Sequence, residues 1–596
     1  EWRMRSSASQ RILERALPLI YPGSKYGNRM PIGLMEVVDN FEPQVLRDYY
    51  ETWYRPDLQG VVIVGDIDVD QVEAKVKKLF GPIKAQTNPK EYVDYPVPSN
   101  DHAIYVIEKD KEQQMPTLIM FYKTEPLPRE QRGTMLHYMQ DYMVQVITSV
   151  LNSRLSELTQ KPDCPFVVAQ VGYGNYLVSK TMEAIEVDII PQEGRTEEAV
   201  KAVMTELERA RRHGLTATEV IRAREEILSQ VETIYNNRNK QRSSYFVNQY
   251  VRHFLDGNAT PGIEFDYQIY NALAPQIPAE AINQTLAGIL ESTDKDFVVL
   301  GMYPEKDGVV VPSADLVKNA IASAVSQDIE AYVDNVKDEP LVPVLPKKGK
   351  VKKSTKTNFG YTKLTLSNGA NVFYKKTDFN ESQVVFRAFS FGGMSLLPES
   401  DMVNAKLMGD VINSQGLGAF NTIELEKALA GKQVACSVTL SQVAEQLSGS
   451  STPKDLETLM QLIYLRFQDP TDEPDVYNNI INTYRAQLAN ASKLPTSALQ
   501  DTINSTVYKG NVRVASLHLE DLDKAISLLT NDMAKTRISK NAALILKSRV
   551  ALYEASWEKY HAGTPFVPDK NAGWPGATKA YNANFAYDNA GEVNFF

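Results

Sequence analysis

At 596 residues the chain is too long for one hydrophobic core and divides by usual domain size into roughly three to five domains, while a formal net charge of -10 argues against a nucleic-acid groove. Its composition, 43% hydrophobic and 23% charged, is that of a globular protein, and no apolar run reaches the ~18 residues a bilayer span needs. Cys164 and Cys436 lie far apart and match neither a zinc nor a redox spacing, so two buried thiols are expected and the compartment is not indicated. The chain opens on Glu1 inside a helical pattern, which makes a missing N-terminal segment an expectation.

Residues 1–20 read as a helix with Ile12, Leu13, Ala16 and Leu17 on one side and arginines on the other, ended by Pro22-Gly23. Pro43–Trp53 carries apolar residues at helical spacing, and Tyr54-Arg55-Pro56-Asp57 stops it because proline lacks a backbone donor. Val61–Val64 is a continuous β-branched run, the pattern of a strand buried on both faces, closed by Gly65-Asp66. Val69–Phe80 resumes the helical period through Val72, Val76, Leu79 and Phe80. A Pro, Asn and Asp-rich stretch over 88–100 then closes the first module.

In the second module Ala103–Ile107, Thr117–Tyr122, Phe166–Val171 and Met182–Ile190 read as strands, and Arg129–Thr159 as a long helix buried on several sides. Two helices, Thr196–Arg212 and Thr216 to about Asn237, each begin with a threonine able to cap them. A polar helix to Leu255, a helix over Ala279–Leu290, the strand Phe297–Gly301 and a helix over Ser313–Tyr332 follow. Residues 338–357, proline-rich and then KKGKVKK, read as a solvated connector between two halves. The third module starts with a hairpin over Thr362–Tyr374 turned by Asn368-Gly369. It continues with the strand Gln383–Phe391, helices over Asp401–Asn413 and Thr422–Ala430, strands near Val434–Thr439, and helices over Thr452–Phe467 and Pro474–Ala491.

An offset of 256 residues places Thr196 on Thr452, Val203 on Leu459, Met204 on Met460 and Leu207 on Ile463. With the same order of elements on both sides of the connector, this predicts an internal duplication of one α/β plan.

The segments Pro31-Ile32-Gly33, WYRPD at 53–57, VVIVGDID at 61–68 and KKLFGPI at 77–83 resemble the insulinase/pitrilysin-like zinc metallopeptidases, over about residues 1–520. The resemblance implies an α/β (α+β) fold of repeated two-layer domains, in two hinged halves that close as a clam shell around a peptide or unfolded protein. It divides the chain into the C-terminal part of domain one (1–87), domain two (88–337), an interhalf linker (338–357) and an inactive domain three (358–522). The family's signature is H-x-x-E-H, two histidines on one helical face that hold zinc with a glutamate that activates the bound water. The six histidines, His102, His137, His213, His253, His518 and His561, include no pair at that spacing. By resemblance, Glu1 in EWRMRSSASQR is placed as the downstream third metal ligand. One carboxylate cannot hold zinc alone, so zinc is expected in the intact protein and not in this chain. Gly392-Gly393 and Gly416-x-Gly418 read as turn glycines, since no strand, Gly-rich loop and helix with Lys-Ser/Thr surrounds them.

After Glu520-Asp521-Leu522-Asp523 the text changes character. Residues 523–596, with RISKNAALILKSRVALYEASWEKYH and WPGA, are similar to a helical portion of the SusD-like outer-membrane glycan-binding lipoproteins, in which Trp557, Tyr560 and Trp574 read as packing residues. Either a join between two genes or a natural fusion accounts for the change. The leading expectation is a fragment of a zinc metalloendopeptidase, inactive as given, from a bacterial envelope, periplasmic or outer-membrane associated through a missing anchor. The alternative is a noncatalytic partner subunit or a glycan-binding fusion.

Overall fold

The computed structural model describes residues 7–522 except Ile32, Asp307 and 492–494, so the expected helical segment over 523–596 lies outside the described residues. The chain divides into two compact units, Glu1–Leu517 and His518–Phe596, and the architecture below is that of the first.

Helix α1 (Ala8–Ile20) is capped by the Ser7 side chain and buries Ile12, Ala16, Leu17 and Ile20. It does not pack within the first module. Ala16, Leu17, Ile20 and Tyr21 join Val106, Phe121 and Leu300 of the second module's sheet, across the boundary expected near residue 87. Its arginine side is used as well: Arg11 bonds both oxygens of Asp110 at 2.9 and 2.6 Å, and Arg15 bonds Glu108 at 2.7 Å.

Three helices follow: α2 (Met35–Asn40), α3 (Pro43–Trp53) and α4 (Val69–Phe80), the last capped by Asp68. The limits of α3 and α4 match the sequence reading, yet none of the three buries a residue. The expected strand Val61–Val64 does not form, and Val61 and Ile63 are 51% and 49% exposed. The β-branched run expresses a preference, but a strand exists only where a neighbour takes up its backbone groups, and no described strand lies beside this one.

The second module is built on a five-stranded sheet of order β1-β5-β2-β4-β3. The strands are β1 (Ile104–Asp110), β2 (Thr117–Thr124), β3 (Phe166–Asn175), β4 (Glu183–Pro191) and β5 (Phe297–Pro304). Only β1 and β5 run parallel. β5 is an interior strand, and its apolar run is buried on both faces: Phe297 and Val299 enter a helix-covered core, Val298 and Leu300 the core beneath α1. The covering helices are α5 (Met135–Thr159), α6 (Thr196–His213) and α7 (Ala217–Asn236), then, after α8 (Ser243–Asp256), which buries no residue, α9 (Ile263–Leu273), α10 (Ala279–Ile289) and α11 (Ala314–Ser326). Thr216 caps α7 in a full capping box with Glu219. Thr196 does not cap α6; Arg195 holds the cap position, and Thr196 is buried in the first turn where it accepts from the Tyr303 hydroxyl.

The third module has two separate three-stranded sheets. One holds β6 (Val351–Lys356), β7 (Thr362–Leu366) and β8 (Asn371–Tyr374), with Gly369 at φ +92° in the expected hairpin turn. The other, of order β10-β11-β9, holds β9 (Val384–Phe391), β10 (Val434–Leu440) and β11 (Ala444–Ser451). Helices α12 (Met402–Ser414), α13 (Thr422–Leu429), α14 (Leu456–Gln468), α15 (Pro474–Ala491) and α16 (Pro495–Val507) complete it. The stretch read as a solvated connector is partly held: Leu341 and Val342 are buried with Leu417, Phe420, Leu462 and Leu465, and its end is strand β6.

The order β9-β11-β10 repeats β2-β4-β3 with the same antiparallel pairings, in line with the duplicated plan. The register of 256 is about one helical turn short. The cap positions of α6 and α14 are Arg195 and Asp455, 260 residues apart, and Met460 is 41% exposed where Met204 is 1% exposed. The two threonines taken as equivalent caps misled the alignment, because a one-turn shift leaves a helix's apolar pattern nearly unchanged.

Candidate functional site

Glu1, the single residue assigned to a metal, lies outside the described residues, as does His561. The described histidines are dispersed. His102 faces Asp294 at 3.2 Å, His213 donates from Nε2 to the Ile329 carbonyl at 2.7 Å, and His253 donates from Nδ1 to the Asn258 carbonyl at 2.7 Å. Among the described residues no group of three or more His, Cys, Asp or Glu side chains converges to hold a metal ion. Both cysteines are free, and burial pushes each thiol up from its ordinary value. Gly393 answers to the turn reading: at φ +58° a Cβ there would lie 2.4 Å from the Ala444 nitrogen and the Ser441 carbonyl.

The densest polar cluster sits where α5, α6 and α7 of the second module meet the connector and α13. Arg154 of α5 is 2% exposed and donates to both oxygens of Glu219 at 2.7 Å, to Glu206 at 3.3 Å and to the Gly214 carbonyl at 3.2 Å. The capping box fixes Glu219: one of its oxygens accepts from the Thr216 backbone, so the carboxylate is aimed before Arg154 meets it. The guanidinium stacks 4.2 Å from the centre of the Tyr332 ring. Burial pulls Arg154 down, but the carboxylates outweigh it and its pKa is raised.

Tyr332 carries the cluster across the boundary. Its hydroxyl donates to Glu157 at 2.8 Å and accepts from Lys427 of α13 at 3.0 Å, while Lys427 also reaches Glu157 at 2.8 Å and Asp334 at 3.2 Å. Arg222 of α7 grips Asp334 at 2.8 and 3.0 Å, and Thr218 donates to it as well. Burial opposes the charge of Asp334, yet the bonds from Arg222, Thr218 and Lys427 prevail and bring its pKa from 3.8 to about 2. Burial likewise opposes the Lys427 charge, and Glu157 and Tyr332 more than compensate, raising its pKa. Burial lifts Tyr332 to about 12, so it stays a neutral donor. With every member paired, the cluster offers no free acid, base or nucleophile. It acts mechanically, fastening the second module to the third.

Further fastenings surround it. Lys337 bonds the Ala419 carbonyl, Gly431 donates to Glu226 at 3.2 Å, and Asn479 donates to the Thr159 carbonyl at 2.7 Å. None of these residues was singled out from the sequence. The one legible signal was the Thr216-x-x-Glu219 pattern, which predicts a cap but not the partner of its glutamate.

These sheets and this boundary define a mixed α/β chain in which one order of strands recurs. The family described as "Peptidase M16 inactive domain" matches residues 40–227. Among curated proteins, "Zinc protease PQQL-like" of Arabidopsis thaliana is 26% identical over 474 residues, 78% of this chain and 43% of that protein. Among solved structures, the periplasmic protease PqqL from Escherichia coli has a TM-score of 0.50 and 20% identity, covering 89% of this chain and 58% of that one. A mutant of the ferredoxin protease FusC, in complex with Arabidopsis ferredoxin, has a TM-score of 0.56 and 19% identity over the same shares. The matches support an insulinase-like family and a peptidase-like protein, and the mixed α/β architecture is that of these neighbours. The chain spans about half the length of the curated relatives it matches.

Proposed function

We propose that this chain is the part of an insulinase-like zinc endopeptidase that forms the wall of the substrate chamber, and that by itself it holds polypeptide without cleaving it. The observation that supports the reading is the match to an inactive peptidase domain in a sequence with no H-x-x-E-H. The substrate class is a peptide or an unfolded protein segment; the ferredoxin complex of the FusC neighbour makes a protein substrate the natural choice. The periplasmic character of the PqqL neighbour favours the periplasm of a bacterial envelope. A noncatalytic partner subunit is the second reading, favoured by α2, α3 and α4, which bury no residue and leave a broad face for another chain.

The test is metal analysis of the 596-residue chain after zinc loading, with cleavage and binding assays on a quenched-fluorescence peptide library and a reduced, alkylated protein. Binding without turnover and without stoichiometric zinc is expected. Stoichiometric zinc or turnover would sink the claim of inactivity, and absence of any polypeptide binding would sink the chamber role. Retention of a separate H-x-x-E-H-bearing subunit on the immobilised chain would decide for the partner reading.

A further inference from the structure

The sheet of β6, β7 and β8 and the connector that leads into it carry a charge opposite to that of the whole chain. Residues 341–377 hold nine lysines and no Asp, Glu or Arg, in a chain whose formal net charge is -10. Eight of the nine are exposed and Lys363 is half-buried. Among the described residues none of the nine is ion-paired, whereas Lys109, Lys201 and Lys427 each meet a carboxylate. The positive field of this stretch is therefore left uncompensated and faces outward.

The turn between β6 and β7 adds an apolar tip. It spans Asn358–Gly360, and Phe359 at its centre is 86% exposed at φ +63°. The left-handed region disfavours a bulky side chain, and Asn or Gly would relax the turn, so the ring is held in water against its backbone preference as well as its solvation. The lysines stand beside this tip. The Lys375 ammonium is 5.6 Å from the ring centre of Tyr361, a Cβ on Gly360 would lie 3.7 Å from Lys375 Cε, and Lys356 donates to the Thr362 hydroxyl at 2.8 Å. Farther along, Lys363 pairs with Thr355 on one side and Phe373 on the other, which puts Lys353 on the same face, and the Lys363 ammonium is 5.4 Å from the Phe373 ring centre. Rings and ammonium groups alternate over one small sheet.

We propose that this hairpin docks the chain on an anionic lipid bilayer, with Phe359 entering the acyl boundary and the lysines meeting headgroup phosphates. Each lysine near such a surface adds attraction, and an apolar ring inside a basic surface anchors it at the boundary. Composition favours lipid over nucleic acid: a stretch without arginine lacks the planar fork that grips single phosphates and base edges, while lysine suffices as a point charge toward a diffuse anionic surface.

The test is cosedimentation of the full chain with vesicles of phosphatidylcholine alone and of phosphatidylcholine mixed with phosphatidylglycerol. Wild type should bind only the anionic vesicles, and raising NaCl from about 50 to about 300 mM should weaken binding roughly tenfold by screening. The combination Lys353→Gln, Lys375→Gln and Lys376→Gln should weaken it by roughly tenfold or more. Phe359→Asn should weaken it about fivefold with a melting temperature unchanged or higher, because Asn accepts a positive φ; this variant separates lost binding from lost folding. Absence of binding to anionic vesicles, equal binding to phosphatidylcholine alone, or wild-type binding by either variant would each overturn the proposal. So would a single-stranded oligonucleotide that displaces the vesicles and binds the Phe359→Asn chain as tightly as wild type, which would assign the lysines to nucleic acid.

Discussion

Replacing Lys427 by methionine tests whether the boundary cluster fastens the two modules. The Lys427 side chain is 6% exposed, and its ammonium meets Glu157 at 2.8 Å and Asp334 at 3.2 Å. Stranding a buried ion-pair partner costs ~3–5 kcal/mol, but neither carboxylate would be stranded: Asp334 keeps Arg222 and Thr218, and Glu157 keeps the Tyr332 hydroxyl. The loss is then that of charge-assisted bonds, about 2 kcal/mol. It should appear in a urea titration and, locally, as faster amide exchange in α13 and over 327–342. Combining Lys427→Met with Glu157→Gln should cost less than the sum, with a coupling of ~1 kcal/mol. The pH dependence has a definite sign. Asp334 is depressed from 3.8 to about 2, so its contribution is complete above the unfolded value and is lost as pH falls through about 2. Lys427→Met should shrink that acid-side loss. A destabilisation below ~0.5 kcal/mol, the range of an ordinary surface change, would refute the reasoning.

Arg154→Met strips the buried Glu219, 4% exposed, of its cation while Glu206 keeps Arg209, and is expected to cost ~3–5 kcal/mol in the same titration, more than Lys427→Met; equal or smaller loss would place the penalty elsewhere. Burial and then the charge of Asp188 lift Glu186 to about 7. A raised carboxylate contributes most below its unfolded value and loses that contribution as pH rises through about 7, so Glu186→Gln should raise the melting temperature at pH 8 and leave it unchanged at pH 4, roughly one half-unit below the ordinary value; an identical shift at both pH values would count against it. Native-state amide exchange should run fastest over 35–80, where three helices bury nothing, and slowest in β5, buried on both faces. Protection of α3 equal to that of β5 would count against this ordering.

The elements that were legible are those whose signal is local. The limits of α3 follow from Pro43 at its first turn and the Tyr54-Arg55-Pro56 stop, and the β7–β8 hairpin follows from Asn368-Gly369. Val61–Val64 failed for a reason no window of sequence contains: its propensity is that of β5, but β5 has β1 and β2 on either side and this segment has neither. The same dependence on distant partners hid the polar cluster. Arg154, Glu206, Glu219, Asp334 and Lys427 are separated by up to 273 positions, and each alone reads as a charge on a solvated helix face. Their burial is decided by which faces α5, α6 and α13 turn inward, a matter of tertiary packing.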